Sequence, residues 1–157
     1  MPNWCENFVT FSHDDLEKVK ELKTAFEENN GLNYLNPMPK ELENTTAPSE
    51  GLNWYTWRID NWGTKWEPSP EYDVDINLAE KSLDLSFLSA WSPPIGVYEK
   101  AYEDGWTVFA TFCEPAMDFI GTFEDGTEAT YSLQEATDDL KKEYEWVYDD
   151  LEEEDDD

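Results

Sequence analysis

One histidine, His13, and two cysteines, Cys5 and Cys113, are all the imidazole and thiol chemistry this chain contains. A Ser-His-Asp or Cys-His arrangement would have to use His13, which falls at a strand-to-helix junction without a nucleophile elbow or comparable context. A local hydrogen-bonding or surface role is expected for it. Two thiols and one imidazole at these spacings make a poor zinc set, so both cysteines are expected to be buried and free. Carboxylates are abundant, with 38 Asp and Glu. At that density, pairs at catalytic separation arise by chance. No EF-hand spacing and no Gly-rich phosphate loop occur. The expectation is a protein without catalytic residues, metal or cofactor.

The acids matter more as a field than as reagents. Against 10 Lys and Arg they give a formal charge of −28 on 157 residues. Eight acids lie in the nine residues 149–157, yet residues 1–148 still carry 30 acids against 10 bases. Self-repulsion on this scale opposes a compact state, and solubility in a small domain needs a net charge of only about 2–8. Disordered acidic chains are poor in aromatics, whereas 15% of this one is aromatic, which predicts a folded domain. Anionic membranes and bare nucleic acid would repel it. No apolar run reaches the roughly 18 residues of a membrane span, the first residues do not resemble a signal peptide, and a cytoplasmic setting is expected.

The elements follow from periodicity. Residues 7–11 suggest a first strand, with Val9 and Phe11 on one face. Ser12 with Asp15 resembles a capping box, and Leu16, Val19, Leu22 and Phe26 make the apolar face of a helix with Gly31 as its stop. Residues 72–78 alternate as a half-buried strand, and Leu83, Leu85 and Phe87 repeat the pattern after a short turn. Ser92, Pro93 and Pro94 open a helix carrying Ile95, Tyr98 and Tyr102 and ending at Gly105; a strand over residues 106–113 follows. The order β-α-β-β-α-β predicts an α+β, ferredoxin-like two-layer sandwich with helices on one sheet face and residues 31–71 inserted.

Two additions come next. Residues 119–123 and 127–131 flank Glu124-Asp125-Gly126, a strong hairpin signal. Ser132 with Glu135 resembles another capping box, opening a helix with the stripe Leu133, Ala136, Leu140, Tyr144, Val147 and Leu151. At about 100° per residue, Glu135, Asp138, Asp139, Glu143, Glu145, Asp149 and Asp150 share the opposite side as a ridge. The expected division is a ferredoxin-like domain over residues 1–132, with the hairpin at 118–132, and an acidic helix and tail over 133–157.

Four of the eight tryptophans, Trp54, Trp57, Trp62 and Trp66, lie within thirteen residues of the insertion. They either fold over the sheet as a lid, each indole N–H finding an acceptor, or form an exposed patch for a protein partner. Stacking of single-stranded bases is set aside, because only Arg58 and Lys65 stand close by. The run Asn61-Trp62-Gly63-Thr64-Lys65-Trp66, with Pro2-Asn3-Trp4-Cys5, Ala90-Trp91-Ser92-Pro93-Pro94, Glu114-Pro115, Phe119 and Gly121, resembles the YubB-like ferredoxin-like domain family of phage and plasmid proteins over residues 1–123. The resemblance implies a ferredoxin-like fold and a mobile-element origin in a bacterial host, and it supplies no established activity. One departure is Ala116, where the family's pattern has glycine after Glu-Pro.

Ten acids in the twenty residues 135–154, on a helix rising about 1.5 Å per residue, present a carboxylate roughly every 3 Å. One DNA strand presents a phosphate about every 3.4 Å. The leading expectation is a phage or plasmid accessory protein that binds and inhibits a basic host nucleic-acid-binding protein, a defence or repair factor, by DNA mimicry, without touching nucleic acid itself. The seven ridge acids would carry that contact, with Trp62 and Trp66 as further partner-binding candidates. The alternative is an interaction or assembly module that binds through the Trp-rich insertion, its acidity serving solubility.

Overall fold

The computed structural model describes residues 3–45, 53–68 and 74–149. Six strands form a single antiparallel sheet: β1 (Trp4–Ser12), β2 (Val74–Asn77), β3 (Ser82–Ala90), β4 (Thr107–Glu114), β5 (Phe119–Glu124) and β6 (Thr127–Tyr131), in the order β2-β3-β1-β4-β5-β6. Central β1 pairs along its whole length with β3, from Trp4 opposite Ala90 to Ser12 opposite Ser82, and with β4 from Glu6 opposite Cys113. The architecture is an α+β sandwich.

Alternation assigns the two sheet faces. Val9 and Phe11 of β1, Leu83, Leu85 and Phe87 of β3, and Val108 and Ala110 of β4 point to the first face and form the main core with α1 (Leu16–Glu27) and α4 (Ile95–Glu103). Helix α1 buries Val19, Leu22, Ala25 and Phe26 there, the stripe that its sequence spacing dictates. A buried polar link adds specificity. Asn7 donates to Ser89 Oγ at 2.9 Å and accepts from the Tyr98 hydroxyl at 2.8 Å, tying α4 to the sheet centre.

Helix α1 starts and stops later and earlier than the spacing predicts. Asp15 and not Ser12 is its N-cap, accepting from Glu17 N, because β1 continues through Ser12. Its stop is Asn29, in the left-handed region at φ 63°, with Asn29 N donating to Phe26 O and Asn30 N to Ala25 O. That paired closure occupies the Ala25 and Phe26 carbonyls, and a small polar residue tolerates it. Gly31 instead opens a short helix, α2 (Gly31–Leu35), where a Cβ would lie 2.2 Å from the Phe26 ring. Helix α3 (Trp54–Asn61) completes the insertion, with the Asn53 side chain accepting from Thr56 N. Tyr72, expected in the second strand, lies outside the described residues.

The hairpin forms as expected. Asp125 and Gly126 both take positive φ, 45° and 92°, the two-residue turn whose twist matches the strands it joins.

The two-layer expectation needs correction. The second sheet face is not left open throughout: Cys113 and Ile120 project onto it and are covered by Leu133, Ala136, Leu140, Tyr144 and Val147. The C-terminal segment therefore adds a third layer over β4 and β5. It does so without the continuous helix predicted from Ser132. Ser132 and Glu135 make a local turn, Thr137 caps α5 (Asp138–Glu143), and helical structure resumes over residues 145–149 after a break at Tyr144. Packing of the stripe against the sheet overrides uniform helical winding.

Candidate partner-binding surfaces

The chemistry-capable residues take structural positions. His13 Nδ1 accepts from Asp15 N at 2.9 Å, and its ring meets Trp106 edge-on at 5.0 Å, so the imidazole closes the β1–α1 junction. Both cysteines are buried and unpaired. Burial pushes the Cys5 thiol far above its ordinary range and that of Cys113 up to about 12, the opposite of a reactive thiolate. Among the described residues, no three His, Cys, Asp or Glu side chains converge as a metal-binding group. No described helix is long and apolar enough to cross a membrane.

The tryptophan insertion divides between core and surface. Trp62 is fully buried, its Nε1 donating to Asn36 O at 2.8 Å, with Trp57 edge-on at 6.1 Å and the Arg58 guanidinium 4.6 Å from its ring centre. Trp62 thus has no surface to offer a partner as the chain stands. Trp66 is exposed, 6.3 Å from the exposed ring of Trp4, with Lys65 Nζ 4.1 Å from its ring centre.

The motifs that carry the sequence resemblance meet in space. Thr64 Oγ1 donates to Ala90 O at 2.9 Å, Ser92 Oγ donates to Gly63 O, and Gly96 N donates to Trp62 O at 3.1 Å. A Cβ on Gly96 would lie 2.1 Å from Asn61 O. These runs lock the insertion onto the start of α4, which is a folding role.

A carboxylate does the same at the other end. Glu67 accepts from Leu32 N and Asn33 N, each at 2.9 Å, and so fixes the start of α2. Burial pushes its carboxyl up to about 7, against the opposing pull of those two donors and of Arg58.

Of the acids expected on the C-terminal ridge, Glu135, Asp138, Asp139, Glu145 and Asp149 are exposed, and Asp150 lies outside the described residues. Glu143 is exposed as well, while also accepting from Thr111 Oγ1 of the sheet at 2.8 Å. Glu135 sits in the turn before α5, so the spacing of a single straight helix does not apply to the row. Exposed carboxylates also stand on other elements, including Glu17 and Glu21 on α1, Glu99 on α4 and Glu128 on β6. The ridge is one side of a wider negative surface. Among the described residues there are three ion pairs, Glu17–Lys20, Lys23–Glu27 and Lys100–Asp104, each within one helix or its cap and partly exposed. Little of the negative charge is neutralised internally.

Sequence reasoning missed the open part of the second sheet face. Phe8 on β1 and Phe109 on β4 are exposed there at 37% and 45%, beside Thr10, Ser86, Asp84 and Asp75. Asp75 and Asp84 are direct cross-strand partners. The signal was available in the alternation, since Phe8 and Phe109 are out of phase with the core residues around them.

No protein-family profile matches the chain, and no curated protein matches it. A solved structure is similar to it: the crystal structure of a protein api92 from Yersinia pseudotuberculosis, a DUF1281 protein, at 14% identity with a TM-score of 0.49. The match covers 69% of this chain and 41% of that one, so the chain spans about two fifths of the neighbour's length.

Proposed function

We propose that this protein is a non-enzymatic binder of a strongly basic protein, engaging it as a polyanion in place of nucleic acid. The observation that carries the reading is the surplus of exposed, unneutralised carboxylates on a sheet-built scaffold: 38 acids, 10 bases and three exposed ion pairs among the described residues. A rigid negative body gains from a cationic channel the same counterion release and steering that a duplex gains. Glu135, Asp138, Asp139, Glu145 and Asp149 supply the outward row, anchored by the buried stripe beneath it. The partner class is a bacterial nucleic-acid-handling factor, such as a defence or repair component, and the setting is the cytoplasm of a bacterial host carrying the phage or plasmid.

The scaffold reading that goes with this is a ferredoxin-like domain of the YubB-like kind. It is supported by the strand order β2-β3-β1-β4, by helices after β1 and β3, and by the motif runs around Trp62 and Trp91. A second reading, an assembly module binding through aromatics, is favoured by the exposed Trp4–Trp66 pair.

The test is neutralisation. Changing Glu135, Asp138, Asp139 and Glu145 together to Gln or Asn is expected to weaken capture of basic nucleic-acid-binding proteins, whereas Trp66→Ala leaves it in place. Loss of capture with Trp66→Ala and retention with the four-acid variant would overturn the polyanion reading in favour of the aromatic one.

A further inference from the structure

The second sheet face is covered over β4 and β5 by the C-terminal segment but open, among the described residues, over β2, β3 and β1. The boundary between the two halves is a cleft of 310 Å³. Phe8 and Phe109 give it aromatic walls; Asp75 and Asp84 flank it on one side and Glu143 on the other. Phe8 is backed by the Tyr144 ring at 5.5 Å, and Glu143 and Asp84 are held in place by Thr111 and Thr10, which donate to them at 2.8 and 2.6 Å.

Two features of this cleft go beyond what the Phe8–Tyr144 contact and the Thr10–Asp84 hydrogen bond supply to the fold. Large apolar rings lie exposed in the middle of a sheet face, and two aspartates stand directly opposite each other across β2 and β3, a pairing that destabilises a sheet. Together they describe a receptor for a cation with a flat apolar face. A nucleic acid base would suit the phenyl rings, but its phosphates would meet three carboxylates. An ammonium would satisfy the charge with a compact, strongly hydrated head that makes less use of the rings. A guanidinium satisfies both, since it is planar, lies over aromatic faces and offers a fork of donors to carboxylates.

We infer that this cleft seats an arginine side chain of the basic partner, stacked against Phe8 and Phe109 and paired with Asp84, Asp75 and Glu143. The inference rests on the polyanion reading and names its specific contact, away from the C-terminal row.

The experiment uses the full chain and two probes, a nona-arginine and a nona-lysine peptide, with affinity measured in 0.15 M salt and amide shifts mapped by NMR. The arginine peptide is expected to bind more tightly and to shift Phe8, Thr10, Asp84 and Phe109. Asp84→Asn, which keeps an acceptor for Thr10, and Phe109→Ala, which removes an exposed ring, are each expected to weaken it about tenfold and to leave the lysine peptide little changed. Equal binding of the two peptides, or shifts confined to the 135–149 row with both cleft variants unaffected, would overturn the cleft while leaving the polyanion reading intact. Cleft shifts that persist in the four-acid variant would support the cleft and count against the row.

Discussion

Asp75 and Asp84 illustrate how residue-scale costs mark function: neighbouring cross-strand positions could hold an opposite pair, and here they hold two like charges. Asp75→Asn is expected to raise the unfolding free energy by about 0.2–1 kcal/mol, seen as a higher urea midpoint at unchanged slope. A lower midpoint would mean that Asp75 serves the fold. Glu67 makes a pH prediction. Its carboxyl is raised from the ordinary 4.5 to about 7, so the folded state binds a proton that the unfolded state has already released. The associated stability is fully present below pH 4.5 and is lost as pH rises through about 7. A carboxyl carbon titrating near 7 by NMR, and a stability difference between the parent and Glu67→Gln that changes only within that window, are the expected results; a midpoint at 4.5 would contradict them. The two partner-candidate tryptophans should separate in the same assay. Trp62→Ala is expected to cost about 3–5 kcal/mol, because it empties a fully buried site, and Trp66→Ala no more than about 0.5.

At the scale of elements, the C-terminal segment is the part on which the third layer depends. Leu140 is buried between α5 and the sheet, and Leu140→Ala is expected to cost about 2–5 kcal/mol in chemical denaturation. A negligible effect would mean that the segment is not docked in solution. Its apolar stripe was legible in the sequence, since Leu133, Ala136, Leu140, Tyr144 and Val147 are all buried and Leu151 lies outside the described residues, but its winding was not. Periodicity reports which residues face the core and does not fix where a chain bent over a sheet must break its helix. The strands and the Asp125-Gly126 turn were readable for a related reason, because their periods and dihedral demands are local. Part of what escaped the sequence depends on distant pairs, Glu67 capping α2 from 35 residues away and Asp75 opposite Asp84, whereas the stop of α1 at Asn29 and not Gly31 is a local closure by a residue other than glycine. The candidate site was legible as charge and, in the alternation, as the out-of-phase rings Phe8 and Phe109. The cleft lies where the described part of the C-terminal layer over β4 and β5 meets the strands beside it, a juxtaposition of distant segments that no local pattern encodes.

For the whole molecule, a formal charge of −28, with three ion pairs among the described residues, is a standing repulsion that salt relieves. The thermal midpoint is expected to rise between about 0.01 and 0.1 M salt, as the screening length falls from about 30 to 10 Å. The same salt should weaken the partner complex, so stability and binding move in opposite directions. The most direct measurement of the polyanion claim is capture from bacterial lysate on the immobilised chain at about 50 mM salt, with release by duplex DNA and by about 200 mM salt compared. Nucleic-acid-binding proteins that are retained and then displaced by the duplex are the predicted result. Recovery of none, or of partners that neither DNA nor salt displaces, would contradict it.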